Sequence, residues 1–159
     1  MKNQISFSKV VGTFYILGLL CLQSAFAEDN QEVLLRKKSV AGFLPAPSIY
    51  NYECEIFANK VTLRRFVATL STEETRNQIL TSSLASLRDT VERAVSAKKT
   101  HSEGPTDGRV TTYEAIQADS TGNLVTHTLF RSGQNQVETE GSAAQTLRRF
   151  LDISCGSNP

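Results

Sequence analysis

From Tyr50 to Phe57 the chain alternates, with Tyr50, Tyr52, Cys54 and Ile56 on one side and Asn51, Glu53 and Glu55 on the other. A period of two with β-formers on one side predicts a half-buried strand with Cys54 facing inward. Asn59-Lys60 offers a two-residue turn into a second strand, Val61 to about Leu70. That strand carries Thr62-Leu63-Arg64-Arg65-Phe66, a pentapeptide that returns as Thr146 to Phe150. Leu63 and Phe66 are an odd distance apart, so a regular strand sends them to opposite faces. A bulge at Arg64-Arg65 would reconcile them and turn both arginines outward, towards Glu53 and Glu55.

The period then changes. Ser71 and Glu74 have capping-box spacing, and Leu80, Leu84, Leu87, Val91, Ala94 and Val95 recur at steps of three and four. This pattern predicts a long amphipathic helix from Thr72 to Lys99 whose apolar stripe covers a sheet. His101 to Gly108, with Gly104-Pro105 and Asp107-Gly108, reads as a loop. Arg109–Ala118 and Asn123–Arg131 read as a second hairpin closed by Asp119–Gly122, with a less clean alternation than the first strand, and the polar stretch Ser132–Glu140 reads as a loop with room for a short strand around Val137. Beyond Ser142, read as a cap with Gln145 in the reciprocal position, Ala143, Ala144, Leu147, Phe150, Leu151 and Ser154 share one helical face, while Arg148, Arg149 and Asp152 point away. Cys155 ends this helix and Gly156 terminates it. Both copies of the pentapeptide thus place Leu and Phe inward and two arginines outward, but their flanks do not match. A looser repeat, hairpin then helix twice over, is marked by Tyr52-Glu53 and Tyr113-Glu114.

The expected fold is therefore α+β, with an antiparallel sheet of about four strands in β-β-α-β-β-α order and one long and one short helix packed on it. One domain, 49–159, would hold all of it. Residues 28–48 read as a flexible approach segment, because the acidic start, the Arg36-Lys37-Lys38 triplet and the prolines in Phe43–Pro47 oppose a packed element. The triplet reads as a solvated spacer.

Residues 1–27 have the pattern of an export signal: Lys2 and Lys9, an apolar run from Val10 to Leu22, and Ala25-Phe26-Ala27 at the cleavage positions. The run falls short of the about 20 apolar residues of a membrane span. Leu20 before Cys21 argues against lipid attachment. The expected location is periplasmic or secreted, with no membrane span once the signal is removed. Without Lys2 and Lys9 the 17 basic residues fall to 15 against 16 acidic ones, a balance that gives no support for a nucleic-acid partner. Of three cysteines only Cys54 and Cys155 follow the signal, and an even pair in an exported chain predicts one disulfide between them.

No catalytic signature is present. His127 lacks a motif that would supply a nucleophile, and His101 sits in a Gly/Pro loop. Glu53 and Glu55 share a strand face and could serve as an acid/base pair, but cross-strand ion pairing is the simpler role. Glycine spacing fits no phosphate loop, the cysteines fit no metal knuckle, and no cofactor is expected. The remaining candidates are Arg64, Arg65, Arg148 and Arg149, which would form one cationic patch if the last helix lay beside the first hairpin. The functional expectation is a small exported, non-catalytic protein that binds a protein, peptide or envelope component. The alternatives are a small hydrolase using His127 or Glu53/Glu55, or a membrane-tethered accessory subunit.

Overall fold

In the computed structural model the described residues are 33–41, 50–67, 70–77, 83–105 and 108–156. The export signal, residues 28–32 and the Phe43–Pro47 stretch lie outside them. The chain divides after Gln31, and everything described belongs to the unit Glu32–Pro159.

Among the described residues eight strands and two helices follow one another as β1 (Val33–Val40), β2 (Tyr50–Phe57), β3 (Lys60–Val67), β4 (Leu70–Asn77), α1 (Leu84–Val95), β5 (Lys99–Ser102), β6 (Val110–Ala118), β7 (Leu124–Arg131), β8 (Gln136–Thr139) and α2 (Ser142–Cys155). One antiparallel sheet contains all eight strands, in the order β4-β3-β2-β1-β6-β7-β8-β5. The α+β class and the disulfide are as expected. The sheet is twice as wide, and the order is four strands and a helix, twice over.

Four segments account for the difference, one of them 136–139, which was expected within a polar loop and forms β8 between β7 and β5. Residues 33–40, expected as part of a flexible approach, form β1 at the centre of the sheet, paired on both edges. The basic triplet sits in its middle, alternating between the two faces. Residues 70–77, expected as the first turns of a long helix, form β4 and pair with β3 along their whole length. Helix α1 starts later, where the Ser83 hydroxyl accepts from the Ser86 amide, so Ser83 and not Ser71 is the cap. Residues 99–102, expected as the end of that helix and the start of a loop, form β5 against β8.

Two smaller expectations also change. Residues 50–56 pair with 67–61 without interruption, so β3 has no bulge; Leu63 and Arg65 share one face and Arg64 and Phe66 the other. The residue before α2 is Gly141, with no side-chain cap, so Ser142 does not fill that role. Gly156 does end α2, at a φ of 78°. The repeat of elements is not a repeat in space. β1 opens its meander in mid-sheet, whereas β5 lies at the far edge and the chain must return past β8 and β7 to place β6 beside β1.

Both helices pack on one face. There Leu35, Ile56, Val61 and Leu63 from the sheet meet Leu87, Val91 and Ala94 of α1 and Ala144, Leu147 and Leu151 of α2. Leu, Val and Ala at steps of three and four give each helix a single apolar stripe, and the two stripes share one core. Neither described helix is long and apolar enough to cross a membrane.

Candidate functional site

Register places Tyr113, Lys37, Cys54 and Leu63 in one row across β6, β1, β2 and β3. Directly opposed residues on neighbouring strands point to the same face. Cys54 is bonded to Cys155, with 5.9 Å between their Cα atoms, so this row faces α2 and its last turn is pinned above it. Lys37, 1% exposed, donates from Nζ to Asp152 Oδ1 at 2.7 Å and to the Gly156 carbonyl at 3.4 Å. Its ammonium also lies 5.3 Å from the centre of the Tyr113 ring. Tyr113 donates to the same Asp152 oxygen at 2.8 Å, and Tyr52, on the other side of β1, donates to the Cys155 carbonyl.

The final carbonyls of a helix lack intrahelical partners and carry the negative end of its dipole. Here a buried cation and a phenol meet that end. Burial pushes both phenols up to about 12; at Tyr113 the hydrogen bond to Asp152 adds to the effect, while at Tyr52 the nearby Arg65 and Arg76 oppose it. Tyr52-Glu53 and Tyr113-Glu114, paired in the sequence, thus flank β1 on both sides and each anchors α2.

The opposite face of the sheet carries charges in columns. Glu114 of β6, Arg36 and Lys38 of β1, Glu53 and Glu55 of β2, Arg64 of β3 and Glu73 of β4 alternate in sign from strand to strand. Arg36 Nη2 lies 2.8 Å from Glu55 Oε1, and Arg64 Nη1 lies 3.0 Å from Glu55 Oε2, so two guanidiniums hold one carboxylate. Arg64 Nε closes the ladder on Glu73 at 2.8 Å. Glu114 Oε2 is buried without a hydrogen bond, held by Arg36 and Lys38 at 3.6 Å each. Glu53 and Glu55, considered above as an acid/base pair, are therefore tied into internal ion pairs.

The four arginines expected to share a patch do not all lie on one face of the sheet. Arg64 belongs to the ladder, on the face away from α2. Arg65 lies on the helix-covered side, opposite Tyr52, and is exposed. Arg149 is exposed on α2, while Arg148 lies 5.5 Å from the Tyr113 ring centre and 5.1 Å from that of Phe130. His127 is half-buried on β7, and burial, with Lys99 nearby, holds it below the usual histidine value. His101 is exposed on β5. Among the described residues no carboxylate is hydrogen-bonded to either histidine.

Arg148 also lines a cleft of about 320 Å³ between α2 and the β5–β8–β7–β6 side of the sheet. Tyr113 and Phe130, packed edge to face at 6.2 Å, contribute aromatic surface. The walls add Arg131, the carboxylate of Glu138, opposite Phe130 in the register, and polar groups from Thr100, Ser102, Ser132 and Gln136. Ser132 is fixed by three contacts with Thr111: its amide donates to the Thr111 carbonyl at 2.9 Å, and its hydroxyl accepts from the Thr111 amide at 3.2 Å and donates to the same carbonyl at 3.5 Å. The turn that follows requires Gly133, whose φ is 86° and where a Cβ would come within 2.9 Å of Val110. A second cleft, of about 620 Å³, lies along α1 over Leu34, Val91 and Ile116, with Arg88, Asp89 and Glu92 on its rim.

Lys37 and Asp152, expected to face solvent, and the two tyrosines, expected as marks of a repeat, instead meet under α2. Their signal was the alternation Leu35, Lys37, Ser39, which runs through the basic triplet and puts one lysine on the apolar side. No protein-family model matches the chain, and neither curated proteins nor solved structures provide a match.

Proposed function

We propose that the protein is an exported, non-catalytic binding protein and that the cleft under Arg148 receives a carboxylate-bearing ligand rich in hydroxyls, carried by a peptide, protein or envelope component. The Cys54–Cys155 bridge supports export, because such bonds persist in oxidising compartments. The observation that carries the binding site is the placement of Arg148. Its guanidinium rests against two aromatic rings, which orients a flat fork of donors in the wall of a cleft whose lining includes hydroxyls, an amide, Arg131 and a single carboxylate, Glu138. Such a fork matches a carboxylate in two parallel hydrogen bonds, and the pre-set orientation reduces the entropy lost on binding.

Titration of the isotopically labelled protein with D-glucuronate, citrate and a free-carboxylate tripeptide, followed by amide chemical shifts, tests this reading. At least one carboxylate is expected to move the signals of Thr100, Ser132 and Arg148, and Arg148→Ala is expected to weaken it by about tenfold or more. Shifts confined to the α1 cleft, or no shifts with any of the three, would remove the assignment.

A further inference from the structure

The two edges of the sheet are unequal. β5 has four residues, whereas β4 has eight, all of them exposed, and among the described elements only β3 pairs with it. At about 3.3 Å per residue the outer side of β4 offers roughly 26 Å of backbone donors and acceptors, a template for a further strand. We propose that this edge pairs with β4 of a second copy of the chain about a two-fold axis.

Symmetry and charge select the register. A two-fold axis that exchanges two antiparallel edge strands runs perpendicular to the sheet, so opposed residues come from the same face of each copy. The axis must then pass beside a single position and its equivalent. Centring on Glu73, Glu74 or Arg76 would set that charge directly against its own copy, which is destabilising. Centring on Thr72 opposes Leu70 to Glu74 and Ser71 to Glu73, with no ion pair.

Centring on Thr75 is different. It sets Glu74 against Arg76 of the second copy and, by symmetry, Arg76 against Glu74, with Glu73 facing Asn77. Within one copy Arg76 Nε already lies 2.6 Å from Glu74 Oε1, both side chains being half exposed, so the pair can exchange partners across the axis without leaving its face. On the other face, the Arg64–Glu73 contact carries the charge ladder out to this edge. Isologous pairing would therefore join two sheets into one continuous sheet with both helix layers on the same side.

Sedimentation equilibrium of the purified protein, from micromolar to sub-millimolar concentration, tests the proposal without reference to the Arg148 cleft. A monomer–dimer equilibrium is expected. Glu74→Arg alone and Arg76→Glu alone should each weaken it by about tenfold or more, because like charges then face each other, and the double exchange should restore it. A protein that stays monomeric throughout, or a dimer that ignores the single reversals, would overturn the proposal. A double exchange that fails to restore pairing would overturn the register. Thr75→Cys provides a second measurement: opposed β-carbons lie about 5 Å apart, so oxidation should yield a covalent dimer, whereas Thr72→Cys should not. Equal cross-linking of the two variants would count against the Thr75 axis.

Discussion

Arg36, Lys37 and Lys38 stand side by side on the central strand, and the two faces of the sheet treat them in opposite ways. Arg36 and Lys38 lie in a charge ladder, where each cation touches carboxylates from strands on both sides. Lys37 points the other way, under α2, with Asp152 and a helix-end carbonyl as its oxygen partners. The ladder spreads charge among many partly solvated contacts, so the loss of any one is shared. The covered side concentrates it in a buried ammonium, for which desolvation is severe and each partner is needed. Three adjacent residues of the same sign thus have different energetic weight, and the pleat of the strand decides which is which.

The largest expected break in this contrast is removal of the bridge that holds α2 above Lys37. Cys54 and Cys155 are 101 residues apart, and closing a loop of that length is worth about 4.7 kcal/mol in the chain-entropy description. Replacing both by Ala should lower unfolding free energy by about 4 kcal/mol in denaturant titrations under oxidising conditions. A loss below about 1 kcal/mol would show that α2 is held without it.

Next comes Lys37→Ala, expected to cost about 3 kcal/mol, because it leaves Asp152 and the helix end without their cation and opens a space in the core. Lys37→Met should recover part of this by filling the volume. Equal losses for the two variants would mean that charge alone matters.

Alkaline pH should weaken the covered side through its tyrosines. Both phenols are raised from 10.0 to about 12, so the folded state keeps its protons between these values while the unfolded chain loses them. The contribution is complete below pH 10 and disappears as pH rises to 12, on the order of 2 kcal/mol per ring. Tyr52→Phe and Tyr113→Phe should each flatten the stability profile in that window. A profile that keeps its slope in both variants would assign the effect to other groups.

The ladder should respond least. Glu73→Ala, at the exposed outer end of the ladder where the carboxylate meets Arg64, is expected to cost about 1 kcal/mol or less at low salt, and less again at high ionic strength, since screened surface pairs contribute little singly. A loss comparable to that of Lys37→Ala, insensitive to salt, would erase the contrast between the faces.

Elements with a clean period were legible before the fold was known. β2 and α2 stand where alternation or three-and-four spacing placed them, because their own side chains suffice to define one buried face, and the β6–β7 hairpin was legible from its β-rich runs and the turn between them. β4 was not legible. Leu70–Asn77 is polar with capping-box spacing, and its strand conformation comes from the hydrogen bonds offered by β3, a partner no local window contains. β1 was obscured by its charges, whose burial becomes affordable only when β2, β6 and α2 supply carboxylates and a helix terminus. The shared outward turn expected of Arg64 and Arg65 is absent for a related reason: without a bulge, neighbours on β3 face opposite sides, so Arg64 enters the ladder and Arg65 does not.

By itself the sequence determined the α+β class, the disulfide partners and the inward positions of the regular elements, since periodicity and cysteine parity are properties of the chain alone. Tertiary structure decided the width of the sheet, the central place of β1, the burial of Lys37 and the meeting of Arg148 with Tyr113 and Phe130. These depend on which distant strands exchange hydrogen bonds, and a charged residue can enter the interior only where such distant groups converge to neutralise it.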